Sequence, residues 1–330
     1  MEIALQKELF QFFSGWMEII IYFVVALALL DFLLLQFVYK KKVAGEHRAI
    51  LIGIFFGQAL AFATRILGAT GFAFIGSGLS PLDLGLSPLS FIIGFFIYEF
   101  FYWLQHWLAH VVRLFWCFHS PHHAPKHISM GVGTNHHFFE QIQMPLVIGF
   151  GSGLLGVDPA FVLIISLIDV LWGSLLHVSE SVVPFRYGPL EKFLQTPSYH
   201  RAHHAKNLIY MDRNYTSITL FWDWFMGTLQ PLNDGNAPEY GITRNVDTES
   251  FVDTHFGEFR ALWQDLRSAE NFRDCLGYLF MPPGWKPGDP SDTVSERRRV
   301  SGMEQTTAPI KVLYSFIRNS VSYVSRAGNG

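Results

Sequence analysis

The chain has 330 residues, 50% hydrophobic and 16% aromatic but only 15% charged, against about 25% charged in soluble domains. A net charge of −3 and the lack of a basic, aromatic-interleaved groove argue against a nucleic-acid partner. Cys117 and Cys275 fall in no CxxC or zinc-finger spacing, so neither a disulfide scaffold nor a thiolate site is indicated. The apolar residues come in blocks, which makes a bilayer the natural solvent. The fold class to expect is all-α: an integral membrane helical protein with about four crossings and a histidine-rich di-metal cap on the cytoplasmic side.

The first segment is too long for a signal peptide, opens with Glu2, Lys7 and Glu8, and lacks a small-residue cleavage site, so it is kept as part of the mature protein. Trp16 to Tyr39 is almost uninterrupted apolar sequence, roughly 36 Å as a helix and enough to span. Lys40, Lys41 and Lys42 follow, which places that end in the cytoplasm. A second span, about Ala49 to Ile75, carries Arg65, read as a structural partner inside the bundle. The Gly/Ser/Pro-rich stretch Gly76 to Ser87 is an outer loop, and a third span, about Pro88 to Ala109, returns inward with His106 and His110 on its last turns.

His119, His122 and His123 come next on that side. Met144 to Gly156 and Ala160 to Leu176, broken by Asp158 and Pro159, form a helical hairpin that dips away and returns, so His177 sits at its cytoplasmic end. His200, His203 and His204 follow on the same side. Phe221 to Phe225 reads as an interfacial aromatic patch, residues 251–280 as a surface helix, and Pro282-Pro283-Gly284-Trp285 as its stop. Residues 1–285 form one membrane domain with a catalytic core at about 91–241, and 286–330 a polar, weakly ordered tail.

The spacing of the histidines carries the chemistry. Positions i, i+3 and i+4 share one helix face, so HxxxH at His106/His110 and HxxHH at His119/His122/His123 and His200/His203/His204 can each aim their rings at a common point. These eight imidazoles exceed the needs of one ion and imply two metals close together, with His177 as a ninth candidate ligand. His136, His137 and Glu140 are candidates for orienting the ligand rings or meeting a polar substrate head, and Glu180 and Asp169, flanking His177, for accepting its second N–H. His47, His127 and His255 read as solvated loop residues. All-nitrogen ligation suits iron, copper, zinc or nickel rather than magnesium or calcium, and the HExxH of a zinc hydrolase is absent. Two redox-active ions beside a membrane suit activation of O2 to attack an unactivated C–H bond.

This order of motifs resembles the fatty acid hydroxylase superfamily of membrane di-iron oxidases, most specifically in Gly188-Pro189-Leu190-Glu191, Thr196 to His204, Asn214-Tyr215 and Trp222-Asp223 with Phe225 to Thr228. That run is similar to the alkylglycerol monooxygenase and sterol desaturase-like branch. Around Asn135 to Glu140 the sequence departs from the Arg-x-His-Pro-x-Glu of many relatives. The resemblance implies two iron ions, O2 as co-substrate, and a lipid or sterol from the bilayer that is hydroxylated, oxidatively cleaved or desaturated. No cytochrome b5 domain or Rossmann fingerprint is fused to the chain, so electrons are expected from a separate cytochrome b5- or ferredoxin-like protein or another reductant. The competing readings are a desaturase or aminolipid head-group hydroxylase on the same scaffold and, from another class, a membrane metal transporter or binding protein.

Overall fold

The computed structural model describes residues 2–53, 55 and 59–303. The regular secondary structure of those residues is all helical, with backbone pairing limited to isolated bridges such as Leu194 to Thr219. Three helices are long and apolar enough to cross a membrane: Ile19–Val38 within α1 (Glu2–Leu33 and its π-helical extension), α4 (Pro88–Val111) and α8 (Pro159–Leu176). A shorter apolar stretch, Ile66–Leu79, lies in α3 (Ala59–Leu79). The second span expected from the sequence crosses positions outside the described residues, and the Arg65 side chain is among what is not described.

Local sequence explains where the spans begin. Ser87 and Asp158 each cap a helix whose next residue is proline, accepting from the amides of Ser90 and Ala160. The first-turn proline lacks a donor that would otherwise be orphaned. α4 and α8 run side by side in the same sense: the Leu84 amide donates to the Gly156 carbonyl just ahead of them (3.0 Å), and Tyr98 donates to Asp169 midway (3.2 Å). Both therefore deliver their last turns, with His106 and His177, to one end of the bundle.

The leg between them is α6 (Glu140–Pro145), a π-turn (Leu146–Phe150) and α7 (Gly151–Leu154). Its 15 residues reach only about 22 Å, short of the hydrocarbon thickness, so it is the shallow half of the hairpin. It presses against α3: a Cβ at Gly149 or Gly153 would collide with the carbonyls of Ala69 and Ala73. Close approach through small residues is how helices associate where lipid competes for apolar contact. Ala69, Tyr98, Met144, Ile148, Phe161 and Ile165 fill the space between these legs.

Around the histidine end lie α2 (Ala44–Gly53), α5 (Arg113–His123), α9 (Pro197–His203), α10 (Phe221–Met226), α11 (Phe251–Ser268), α12 (Phe272–Phe280) and α13 (Val294–Val300). Two expectations change here. His47 and His255 are not solvated: α2 and α11 turn them inward, where His47 meets Phe32 and His255 meets Phe251. The tail also folds as far as Met303. Buried Arg298 of α13 donates to the carbonyls of Leu208, Ile209 and Met211, which gives an otherwise polar segment a docking point. Residues 304–330 lie outside the described residues.

Candidate metal centre

All nine histidines expected as ligands are buried and meet at the same end of the bundle. They divide into two sets, His106, His110, His119, His123 and His203 in one and His122, His177, His200 and His204 in the other, each with its ligand nitrogens within 4.8 Å of one another. The division cuts across the sequence clusters. On α5, His119 and His123 join one set while His122 joins the other, and on α9 His203 parts from His200 and His204. A helix advances 100° per residue, so one HxxHH motif faces two points, and the sets adjoin: His123 stacks on His204 at 4.4 Å between centroids.

Hydrogen bonds at the outer ring nitrogens fix the tautomers. A carbonyl only accepts, so Nδ1 must carry the hydrogen where it faces one. His106 donates to Tyr215 (2.8 Å), His122 to Val132 (2.9 Å), His177 to Gly173 (2.6 Å) and His203 to Arg213 (2.7 Å). His119 donates to Glu140 Oε1 (2.7 Å), whose other oxygen accepts from His136 (2.9 Å). Burial first, and the surrounding imidazoles second, hold His122, His123, His200 and His204 well below the ordinary histidine pKa. Burial likewise pushes His119 down to about 4, against the pull of Glu140. Burial alone would raise the Glu140 carboxyl, but His119 and His136 outweigh it and hold it well below the carboxylate range. Glu140 is therefore the anion, and His119, His122, His123, His200 and His204 are neutral.

Where Nδ1 carries the hydrogen, on His106, His119, His122, His177 and His203, a neutral ring leaves its inner Nε2 as a lone pair. Yet His106 and His119 Nε2 stand 3.1 Å apart, and His122 and His177 Nε2 3.2 Å. Lone pairs this close repel unless a cation lies between them, and two nitrogens bound side by side on one ion at roughly 2.1 Å are about 3 Å apart. His110 Nε2 and His203 Nε2 are buried with no hydrogen-bond partner. A buried polar nitrogen without a partner is rare, and both belong to the first set. The donor atoms present thus fit two metal ions.

Residues 91–228 match the family model described as fatty acid hydroxylase. Alkylglycerol monooxygenase from Danio rerio is 29% identical over 200 residues, 60% of this chain and 43% of that protein. The Homo sapiens protein of the same name is 28% identical over 195 residues, 58% and 42%. These findings support a likeness to the fatty acid hydroxylase superfamily, carried by residues 91–228. The chain spans less than half the length of these curated relatives, and no solved structure matches it.

The remaining expected residues take different places. His136 stacks on His122 at 4.3 Å and shares Glu140 with His119. His137 points away, into a cage of Phe118, Phe256 and Phe259. Asp169 and Glu180 do not partner His177 as expected. Asp169 accepts from Tyr98 and Ser217, Glu180 accepts from Tyr240, and the Gly173 carbonyl takes the His177 N–H because it lies one helical turn back on the same face.

Three supports escaped the sequence reading. Buried Asp223 accepts from the amides of Tyr215 and Thr216 (2.9 Å each) and from the hydroxyls of Thr216 and Thr228. Buried Glu99 accepts from the amides of Ile218 and Thr219. Together they fix residues 215–219, whose Tyr215 carbonyl orients His106. Asp212, in left-handed backbone at φ 54° and followed by Asn214 at φ 58°, brings a carboxylate oxygen to 3.4 Å from His110 Nδ1. Asp223 was within reach of sequence reading, since it stands in the Trp222-Asp223 pair, but nothing in the chain announced what it would hold.

Two cavities flank the rings. A cavity of about 580 Å³ opens on the cap side, where His110, His123 and His203 meet Trp116, Arg244 and Trp285. A small one of about 50 Å³ lies on the bundle side, between Tyr102, His106, His122, Glu140, His177 and His200.

Proposed function

We propose that this protein is a membrane-bound di-iron oxygenase that uses O2 and two electrons to hydroxylate a C–H bond of a lipid. The observation that carries the reading is the pair of buried, all-imidazole sets aimed at two adjacent points. His106, His110, His119, His123 and His203 would hold one ion, and His122, His177, His200 and His204 the other. Iron suits such nitrogen donors, and when bound it supplies the O2-activating redox chemistry that protein side chains lack. The alkylglycerol monooxygenase relatives make an ether-bearing lipid the first substrate to test. Lys40 to Lys42, at the histidine end of α1, support a multi-pass chain with this end in the cytoplasm.

The chain's own contribution is to hold, to orient and to exclude water. Glu140 and the carbonyls of Val132, Gly173, Arg213 and Tyr215 keep each Nδ1 protonated, so each Nε2 remains a donor to metal. Tyr102, Met144, Val170 and Leu176 wall the bundle-side cavity, where a C–H bond can approach without bulk water. The larger cap cavity gives a separate electron donor an aqueous approach to His110, His123 and His203.

The test uses iron-loaded protein in phosphatidylcholine nanodiscs with 1-O-hexadecylglycerol, a chemical reductant and isotopically labelled O2. Hydroxylation places one labelled oxygen atom in the lipid. A product that has lost two hydrogens and gained no oxygen means desaturation. No turnover across ether lipids, sterols and phospholipids, with iron bound, overturns the oxygenase reading.

A further inference from the structure

A third cavity, about 310 Å³, lies outside the histidine centre between α1, α8 and the excursion 178–197. Leu27, Leu30 and Leu34 form one wall and Leu175, Val182 and Val183 the other. Its polar side chains are turned to the protein: Asp31 accepts the Met130 amide (2.9 Å), Trp172 donates to the Gln195 carbonyl (3.0 Å), and Thr196 donates to Glu191 (3.1 Å). What remains is an apolar trough with little to offer a headgroup and much to offer methylenes.

Its position is informative. The excursion that walls it runs from His177 to His200, two rings of the same metal-competent set. Its outer side exposes Phe185, Leu190 and Phe193, 53–69% accessible, beside the spanning part of α1, of which only 17% is buried. Exposed apolar residues continuous with a lipid-facing helix belong in hydrocarbon. At the inner end, Leu176 lines both this trough and the small cavity against the rings.

We propose that this trough seats one hydrocarbon chain of a bilayer lipid, received sideways from the membrane between α1 and the 178–197 excursion and directed past Leu176 toward His177 and His200. Glu191 holds the excursion in place by accepting from the Tyr187 amide and from the hydroxyls of Thr196 and Ser198, which fastens the wall of the trough to the start of α9. The proposal rests on the lipid-oxygenase reading and adds the path of the substrate to it.

Photolabelling tests it without requiring turnover. Full-length protein in phosphatidylcholine nanodiscs is irradiated with a hexadecyl glyceryl ether carrying a diazirine in its chain, and the labelled peptides are mapped by mass spectrometry. Label is expected on residues 27–34 and 172–183, displaced by excess unlabelled ether. It should disappear in Leu30→Trp, or in Val182→Trp if the first variant misfolds, while bound metal stays at the wild-type level. Label that competitor does not displace and that centres on outward residues such as Tyr22 and Phe23 reports lipid at the protein's surface only and overturns the proposal, as does label confined to the cap cavity. Specific labelling without oxygen incorporation sinks the oxygenase reading and leaves the trough standing; oxygen incorporation with no label in the trough does the reverse.

Discussion

Glu140 Oε1 accepts from His119 Nδ1 at 2.7 Å, and the same carboxylate accepts from the His136 ring through its other oxygen. One buried anion thus sets the tautomer of a metal-facing imidazole and pins the ring that stacks on another. Glu140→Gln keeps one acceptor oxygen but turns an amide N–H₂ toward an imidazole donor. Metal affinity should fall about 10–100-fold, read by chelator competition on the purified protein. Unchanged affinity would mean that the carboxylate is not what orients His119.

The two ring sets predict separable losses. His203→Ala removes a nitrogen from the five-membered set and His200→Ala one from the four-membered set. Each variant should lose metal mainly from its own site, falling from two ions toward one by elemental analysis, and the double variant should bind neither. If either single variant empties both sites to the same degree, the rings form one cooperative centre.

Asp223 should matter for stability before it matters for chemistry. Asp223→Ala leaves two buried amides and two hydroxyls without their acceptor, a loss of at least about 4 kcal/mol at 1 kcal/mol or more for each of the four groups. The Tm of the detergent-solubilised protein should drop by several degrees, and Asp223→Asn, which restores part of the acceptor set, should drop it less. A full-strength Tm in the alanine variant would show that the 215–219 segment is held by other contacts.

Acid sensitivity follows from two histidines away from the rings that face metal. Burial among aromatic side chains pushes His137 and His255 down to about 4, against an unfolded value near 6.5. Between those pH values the unfolded chain binds protons that the folded chain refuses, so stability rises with pH through the window and is fully present only above about 6.5. These two groups contribute at most about 2.7 kcal/mol per pH unit to the slope. Unfolding of metal-free protein across this range should show the rise, to which the low-pKa ring histidines also contribute, and the double variant His137→Phe, His255→Leu should reduce the slope by the share of these two groups. An equal slope in the variant would assign the acid sensitivity elsewhere.

Much of this protein is written in local features of the chain. The apolar runs at Ile19–Val38, Pro88–Val111 and Pro159–Leu176 are helices because their length and composition leave no other way to satisfy backbone polar groups in lipid. Ser87-Pro88 and Asp158-Pro159 mark the starts of the last two. Eight of the nine histidines announce themselves by spacing, since i, i+3 and i+4 repeats are a property of the helix itself, and His177 by its place at the end of an apolar run.

Which ring faces which point was beyond the sequence. HxxHH fixes angles around one helix axis, but the partition into five and four depends on where α4, α5, α8 and α9 sit relative to one another. The partners of the ring N–H groups were equally hidden: Asp169 and Glu180 lie close to His177 in the chain, yet it donates to Gly173, while Asp212 reaches His110 through a left-handed turn. His47 and His255, polar residues in mixed-polarity sequence, were buried by neighbouring helices rather than by their own segments. The chain by itself determined the helices and the ligands they carry, because those follow from periodicity and solvent. Only the tertiary structure decided the pairing of rings and the identity of their supports, because hydrogen bonds and metal geometry are set by distances between elements that share no local sequence.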